Sequence, residues 1–269
     1  MKKVVLITGA SSGIGKQTAK LLIQQGFTVY GAARRLDKMQ DLKEAGASLL
    51  QMDITEDESM INGVREIIET EKRIDVLINN AGYGSYGALE DVPISEAKYQ
   101  FEVNVFGLAR LTQLVLPHMR DQQSGKIINV SSIAGRVGEP HGAWYHATKF
   151  AVEGLSDCLR MEVKQFGIKV IIIQPGLIKT EWNTIAEENL AKISGNTAYK
   201  DSVKKQLKMF ELLYKKASEP LVIAKVIGKA VNSKNPKTRY VEGAGAGLIV
   251  FIRKILPDKL LDKIILSQL

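Results

Sequence analysis

The stretch "TGASSGIG" (8–15) decides the fold. It directly follows the apolar run "KVVLIT" (3–8) and opens the helix-like segment 14–25. Gly9, Gly13 and Gly15 allow a tight turn and a close backbone approach to a pyrophosphate, with Ser11, Ser12 and Ile14 completing the loop. The helix behind it aims unpaired N–H groups and the positive end of its dipole at that anion. A glycine-rich turn alone says little, but one placed between a first strand and a first helix predicts a dinucleotide site.

The rest of the chain repeats the same strand-then-helix pattern. Further strands are expected at "FTVYGA" (27–32), "SLLQM" (48–52), "DVLINN" (75–80), "KIINVS" (126–131) and "KVIIIQ" (169–174). Several are apolar on both faces, as buried parallel strands must be. Helical patterns at 56–71, 96–119 and 144–166 alternate with them. This spacing predicts an α/β fold, a Rossmann-type doubly wound parallel sheet in a single domain over 1–269. After about residue 181 the alternation lapses into helix, so 181–217 is expected to be a substrate lid and 243–269 a basic amphipathic tail. A last edge strand is expected at "TRYVEG" (238–243).

The end of the second strand reads "GAARRLDKM" (31–39). A site for NAD would place an acid there for the ribose 2′-hydroxyl. Ala33 offers no acceptor, whereas Arg34, with Arg35 beside it, offers a cationic fork suited to a 2′-phosphate. Asp37 also falls within the spacing for a ribose acid, but it starts "DKMQ", an N-cap with Gln40 at the capping-box position. The reading favours capping for Asp37 and NADP(H) as cofactor.

Composition narrows the class. The 269 residues are 45% hydrophobic and 25% charged, ordinary for a globular protein. A single cysteine, Cys158, excludes an internal disulfide and fits a reducing compartment; its place beside Leu155 and Leu159 predicts a packed thiol. "MKKVVLITGA" (1–10) reads as a strand rather than a signal peptide. No apolar run approaches the roughly 18 residues of a membrane span, so a cytoplasmic protein is expected. The net charge of +8 is uneven: residues 1–199 carry 22 Lys+Arg against 23 Asp+Glu, and residues 200–269 carry 15 against 6. No zinc finger, basic zipper or aromatic RNA-binding strand accompanies the basic tail, so nucleic acid is not expected as a partner. No His, Cys or Asp cluster has metal-ligand spacing.

"AWYHATKFAVEG" (143–154) places Tyr145 and Lys149 four apart, on one face of a helix. A phenol of pKa about 10 transfers protons poorly at neutral pH. A fixed ammonium favours the phenolate and lowers that pKa, which makes the pair a candidate acid–base catalyst. His146 points about 100° away from Tyr145 on the same helix. His141, in the preceding loop, is a candidate substrate contact.

With "NNAG" (79–82), Asn104, "NVSS" (129–132), "YHATK" (145–149) and "PGLIKT" (175–180) added, the sequence resembles the short-chain dehydrogenase/reductase family, in the branch with TGxxxGxG glycine spacing. The match covers about residues 3–180; the tail resembles hydroxysteroid- and retinol-dehydrogenase-like members more loosely. The resemblance implies that Tyr145 is the acid/base and that Ser132 hydrogen-bonds the substrate oxygen. By the same resemblance Lys149 holds the nicotinamide ribose and lowers the Tyr145 pKa, while Asn104 holds a water that links Lys149 to bulk solvent. Asp53 and Ile54 are implied at the adenine, Asn80, Ala81 and Gly82 at the adenosine-side ribose, and Pro175 and Gly176 beneath the nicotinamide. The Ile178 backbone would hold the carboxamide and Thr180 would reach the carboxamide or the pyrophosphate, while Asn79 is expected to be structural. A homodimer or homotetramer is implied by analogy.

Tyr83, Tyr86, Trp144, Trp182, Met209, Phe210 and Tyr214 fall in the expected substrate-facing segments. Together they favour a small-molecule substrate that is a bulky apolar alcohol or carbonyl, steroid-like, retinoid-like or long-chain. The reading is an NADP-dependent oxidoreductase interconverting a secondary alcohol and a carbonyl. Its competitors are a cofactor-binding regulator without turnover and a membrane-surface lipid oxidoreductase. The tail is expected to cover the pocket or a second subunit, with peripheral membrane contact as the rival.

Overall fold

The computed structural model of the chain describes residues 2–267. Seven strands, β1 (Val4–Thr8), β2 (Thr28–Ala33), β3 (Ser48–Gln51), β4 (Val76–Asn79), β5 (Gly125–Val130), β6 (Ile168–Pro175) and β7 (Arg239–Glu242), form one sheet. Their order is β3-β2-β1-β4-β5-β6-β7, with every neighbouring pair parallel. All five residues of β1 are buried, which is why that strand reads as a continuous apolar run rather than an alternating one.

The helices are α1 (Gly13–Gln24), α2 (Gln40–Glu44), α3 (Asp57–Glu71), α4 (Ile94–Phe101), α5 (Gly107–Asp121), α6 (Ala143–Glu162), α7 (Glu181–Ser194), α8 (Lys200–Tyr214), α9 (Pro220–Asn232), α10 (Ala246–Ile255) and α11 (Asp258–Leu266). They build a separate core on each face of the sheet. On one, Ala19 and Leu22 of α1 and Ile223 and Ile227 of α9 pack on Val5, Ile78 and Ile171. On the other, Met60 and Ile67 of α3 and Leu111, Val115 and Met119 of α5 pack on Leu6, Leu77 and Ile127. The chain builds outward through β1, β2 and β3, then returns to start again at β4 beside β1. That reversal opens a crevice at the carboxyl ends of the strands, where ligands bind in sheets of this kind.

Three local expectations fail. The segment 96–119 is not one uninterrupted α-helix: a π-helical turn, Glu102–Phe106, separates α4 from α5 and carries Asn104. Such turns are rare and gather at functional sites. Asp37 does not cap a helix; it begins a short 3₁₀ turn without a side-chain cap, and Gln40 Nε2 instead donates to the Leu36 carbonyl at 3.1 Å. Cys158 is exposed, not packed. Phe150, Gly154 and Cys158 recur every fourth residue and form the outer stripe of α6, whereas Leu159, one step round, is buried. None of the described helices is long and apolar enough to cross a membrane.

Candidate active site

A cavity of about 780 Å³ runs along the carboxyl ends of the strands and on beneath α7, α8, α10 and α11. At one end the β1–α1 turn forms its floor. Gly9 and Gly13 hold φ of +66° and +51°, the left-handed region that favours glycine. A Cβ on Gly15 would lie 2.4 Å from both Asn80 Nδ2 and the Gly9 carbonyl, so this glycine packs the turn from behind rather than lining the cavity. Asn80 Nδ2 braces the loop by donating to the carbonyls of Thr8 at 3.0 Å and Gly9 at 3.3 Å. Ser12, the extended N-cap of α1, makes no side-chain capping bond, and no acid stands in the first turn. The helix end therefore presents its donors to an anion.

At the end of β2, Arg34 Nη1 lies 3.1 Å from the Tyr99 hydroxyl and 3.9 Å from Asp53 Oδ2. Arg35 Nη2 reaches Ser11 Oγ at 3.4 Å and Glu181 Oε2 at 3.0 Å. The Arg35 guanidinium holds the Glu181 carboxyl below its ordinary range. Both arginines line the cavity and no carboxylate replaces Ala33, so the donor set fits the 2′-phosphate of an NADP-type dinucleotide. Ser11, Ser12, Ile14, Asp53, Ile54, Ala81, Gly82, Pro175, Gly176, Ile178 and Thr180 line the same half. Asn79 does not; its amide donates to Thr112 and Asn129 within the core at 3.0 and 2.9 Å.

Tyr145, Lys149 and Ser132 meet at the centre of the cavity. Lys149 Nζ lies 5.8 Å from the centre of the Tyr145 ring and donates to the Val130 carbonyl at 3.0 Å. Burial lowers the lysine to about 8, against a smaller opposing pull from Glu153. Burial pushes Tyr145 well above the ordinary phenol range, with the Ser132 hydroxyl pulling the other way. The expected lowering of the tyrosine by its lysine is thus not what this geometry gives. Desolvation dominates, and the lysine is turned to a backbone carbonyl. Asn104 sits behind the cavity wall. Its Oδ1 accepts from the Tyr83 N–H at 2.8 Å, and its Nδ2 donates to the Tyr83 carbonyl at 2.7 Å and to Thr148 Oγ1 at 3.0 Å. The amide ties the loop after β4 to α6.

Beyond Tyr145 the cavity becomes aromatic. Its ring centre is 4.7 Å from that of Trp182 and 5.8 Å from that of Tyr86, and Tyr86 also meets Phe210 at 5.6 Å. Tyr83, Met209 and Tyr214 line this half as well. Trp144 does not; it turns to Phe101, 6.3 Å away, because it lies one residue from Tyr145 and faces another side of α6. His141 touches no cavity wall and instead clasps α8 through Gln206 and Ser202. His146 lines the cavity, with Nδ1 held at 3.0 Å from the Ala134 carbonyl and Nε2 at 3.6 Å from Glu139. Glu139, which the sequence reading passed over, accepts from the Tyr86 hydroxyl at 2.7 Å. Its only signal was a carboxylate within the 133–144 segment already expected to face substrate. Tyr99 and Glu181 were missed too; nothing in their spacing marks them.

A phenol, an ammonium and a serine hydroxyl beside a dinucleotide floor define a nucleotide-dependent oxidoreductase. The family profile described as short chain dehydrogenase matches residues 3–191. A 3-ketodihydrosphingosine reductase of Bacteroides thetaiotaomicron is 40% identical over 97% of this chain and 95% of its own. An NADPH-dependent 3-dehydrocapnine reductase of Ornithobacterium rhinotracheale is 34% identical over 99% of this chain and 97% of its own. Among solved structures, a short-chain dehydrogenase from Streptomyces avermitilis superposes with a TM-score of 0.82 at 32% identity, covering 98% of this chain and 93% of that one. A closed serine dehydrogenase complexed with NADP+ gives 0.76 at 26% identity, covering 89% and 94%. The chain belongs to the short-chain dehydrogenase/reductase family.

Proposed function

We propose that this NADP(H)-dependent oxidoreductase reduces a ketone on a long-chain amphipathic substrate that carries an amino group close to the carbonyl. The observation that carries this is the cavity itself. From Tyr145 and Ser132 it continues past an aromatic collar to a wall built by Ile249, Ile252, Leu261 and Ile265 of the tail. A short polar ketone would leave most of that apolar length unused. The two reductases named above support the choice of a 3-keto lipid.

In this reading bound NADPH supplies the hydride. Tyr145 donates the proton to the carbonyl oxygen, and Ser132 orients that oxygen by a hydrogen bond. Lys149 holds the nicotinamide-side ribose, and Asn104 fixes the Tyr83 loop against α6. Arg34 and Arg35 hold the 2′-phosphate over the Ser11 turn. Glu139, held by the Tyr86 hydroxyl, sets a negative charge beside the aromatic collar, where a substrate ammonium gains a charge-assisted partner. Lid residues from α7 and α8 exclude water once the chain is seated.

The test follows NADPH absorbance with a long-chain 2-amino-3-ketone, the same ketone without the amine, and a short soluble ketone. The long aminoketone should show the highest kcat/KM, and Glu139→Gln should erase its advantage over the amine-free chain. Equal rates for all three would sink the substrate class.

A further inference from the structure

The tail helices use only one face on the cavity. Beside that face lies a bare apolar one: Phe251 is 60% exposed, Ile255 58% and Leu260 45%. Leu248 and Ile264 of the tail, together with Ile185 of α7 and Leu213 of α8, are both exposed and part of the cavity lining. They form the rim of its mouth. Isolated exposed apolar residues need no explanation, but a contiguous set around a cavity entrance marks a contact surface.

The charges beside that rim identify the contact. Lys254 lies next to Phe251 and Ile255 on α10, and Lys259 and Lys263 flank Leu260 on α11 by helical spacing. Among the described residues none of these three lysines is in an ion pair, whereas Arg253 is bound to Asp258 at 2.9 Å. A second copy of the chain would bring lysine rim against lysine rim. On the tail, an apolar stripe flanked by these cations instead matches the acyl boundary and the anionic headgroups of a lipid bilayer.

We propose that α10, α11 and the edge of α7 and α8 dock the protein on an anionic membrane, with the cavity mouth facing the bilayer. Docked this way, an amphipathic substrate passes from the lipid phase into the cavity without crossing water. That last step rests on the substrate class proposed above; docking does not, and vesicle binding reports it without turnover.

The experiment is flotation of the full chain with phosphatidylcholine vesicles, alone or with about a third phosphatidylglycerol. At low salt the protein should float with the anionic vesicles and leave them as salt rises. Lys254→Glu/Lys259→Glu/Lys263→Glu and, separately, Phe251→Ser/Leu260→Ser should each weaken partition at least about tenfold. Both variants alter exposed positions outside the cavity lining, so thermal midpoint and turnover of a short soluble ketone should stay at the wild-type values. Failure to float with anionic vesicles at low salt would overturn the proposal. Equal partition of wild type and the lysine variant would do so too, as would conversion of a wild-type dimer to monomer by Phe251→Ser/Leu260→Ser, which assigns the face to a second copy.

Discussion

The Lys149 ammonium sits 5.8 Å from the Tyr145 ring centre and is hydrogen-bonded to the Val130 carbonyl at the end of β5. Sequence places the two residues one helical turn apart; the fold buries both and so moves their proton affinities in opposite directions. The tyrosine keeps its proton more tightly than a free phenol, and the lysine gives its proton up at about 8.

That lysine value sets a pH limit. Lys149 is charged below about 8 and neutral above it in the cofactor-free enzyme. Because kcat/KM for NADPH reports the free enzyme, it should fall as pH rises through about 8. The linkage to stability has the same origin. The folded pKa lies below the ordinary lysine value of about 10.4, so burying the charge costs stability below pH 8, and the cost fades between the two values as pH rises. Lys149→Met should therefore raise the cofactor-free Tm at pH 7 while weakening NADPH binding. A variant destabilised at pH 7 would contradict the burial account.

Tyr145→Phe removes the transferable proton and leaves the ring among Trp182 and Tyr86. Turnover should fall by about 10²-fold or more, the usual worth of general acid–base catalysis. The NADPH dissociation constant should change little. A variant retaining more than about a tenth of the rate would take the proton-donor role away from Tyr145.

The sheet was legible because burial on both faces forces apolar runs, as in Val4–Ile7 of β1 and Val170–Ile173 of β6. The turn after β1 was legible because Gly9, Gly13 and Gly15 answer a steric demand that other residues do not meet. What depends on tertiary direction was not. Cys158 and Leu159 are neighbours in sequence, yet one faces solvent and the other the core. Glu139 gains its place from Tyr86, 53 residues away, and no local pattern announces such a pair.

Arg34 and Arg35 give a cofactor test. Arg34→Asp with Arg35→Ala removes both cationic partners of a 2′-phosphate and supplies an acid for the ribose hydroxyl. A charge-assisted hydrogen bond contributes about 1.5–3 kcal/mol, so the NADPH-to-NADH preference should shift at least about tenfold toward NADH. Glu181 then loses its partner at 3.0 Å, which is why Arg35→Ala alone should also loosen the start of α7. A wild-type enzyme that prefers NADH would reverse the cofactor assignment.

Behind the site, Arg239 of β7 binds Glu153 of α6 at 2.9 Å and Asp157 at 2.6 Å, and Glu153 is only 5% exposed. Arg239→Ala leaves that carboxylate with the Gln174 amide, at 2.8 Å, as its remaining side-chain hydrogen-bond donor and with the pull of the Lys149 ammonium. The expected loss is about 3 kcal/mol in chemical denaturation, the lower end for a broken buried pair because the arginine is partly exposed. Adding Glu153→Gln should restore part of it. Full stability in Arg239→Ala would show that the pair contributes little.

His141 ties the loop before α6 to α8. This residue holds φ of +60°, an uncommon conformation for a non-glycine residue, while its ring clasps Gln206 and Ser202 of α8. Gln206 is fully buried and its Nε2 already has no partner, so His141→Ala would leave the whole amide unsatisfied, at about 1–3 kcal/mol. Alanine also suits the left-handed backbone poorly. His141→Asn separates the two effects, because asparagine tolerates that backbone and keeps a polar end. We expect His141→Ala to speed hydrogen exchange in Lys200–Tyr214 and to raise KM for a long-chain ketone several-fold, with NADPH affinity unchanged. His141→Asn should recover the backbone part of the Tm loss and less of the KM. If exchange in α8 stays at the wild-type rate while KM rises, His141 acts on substrate by another route and the clasp is not what holds α8.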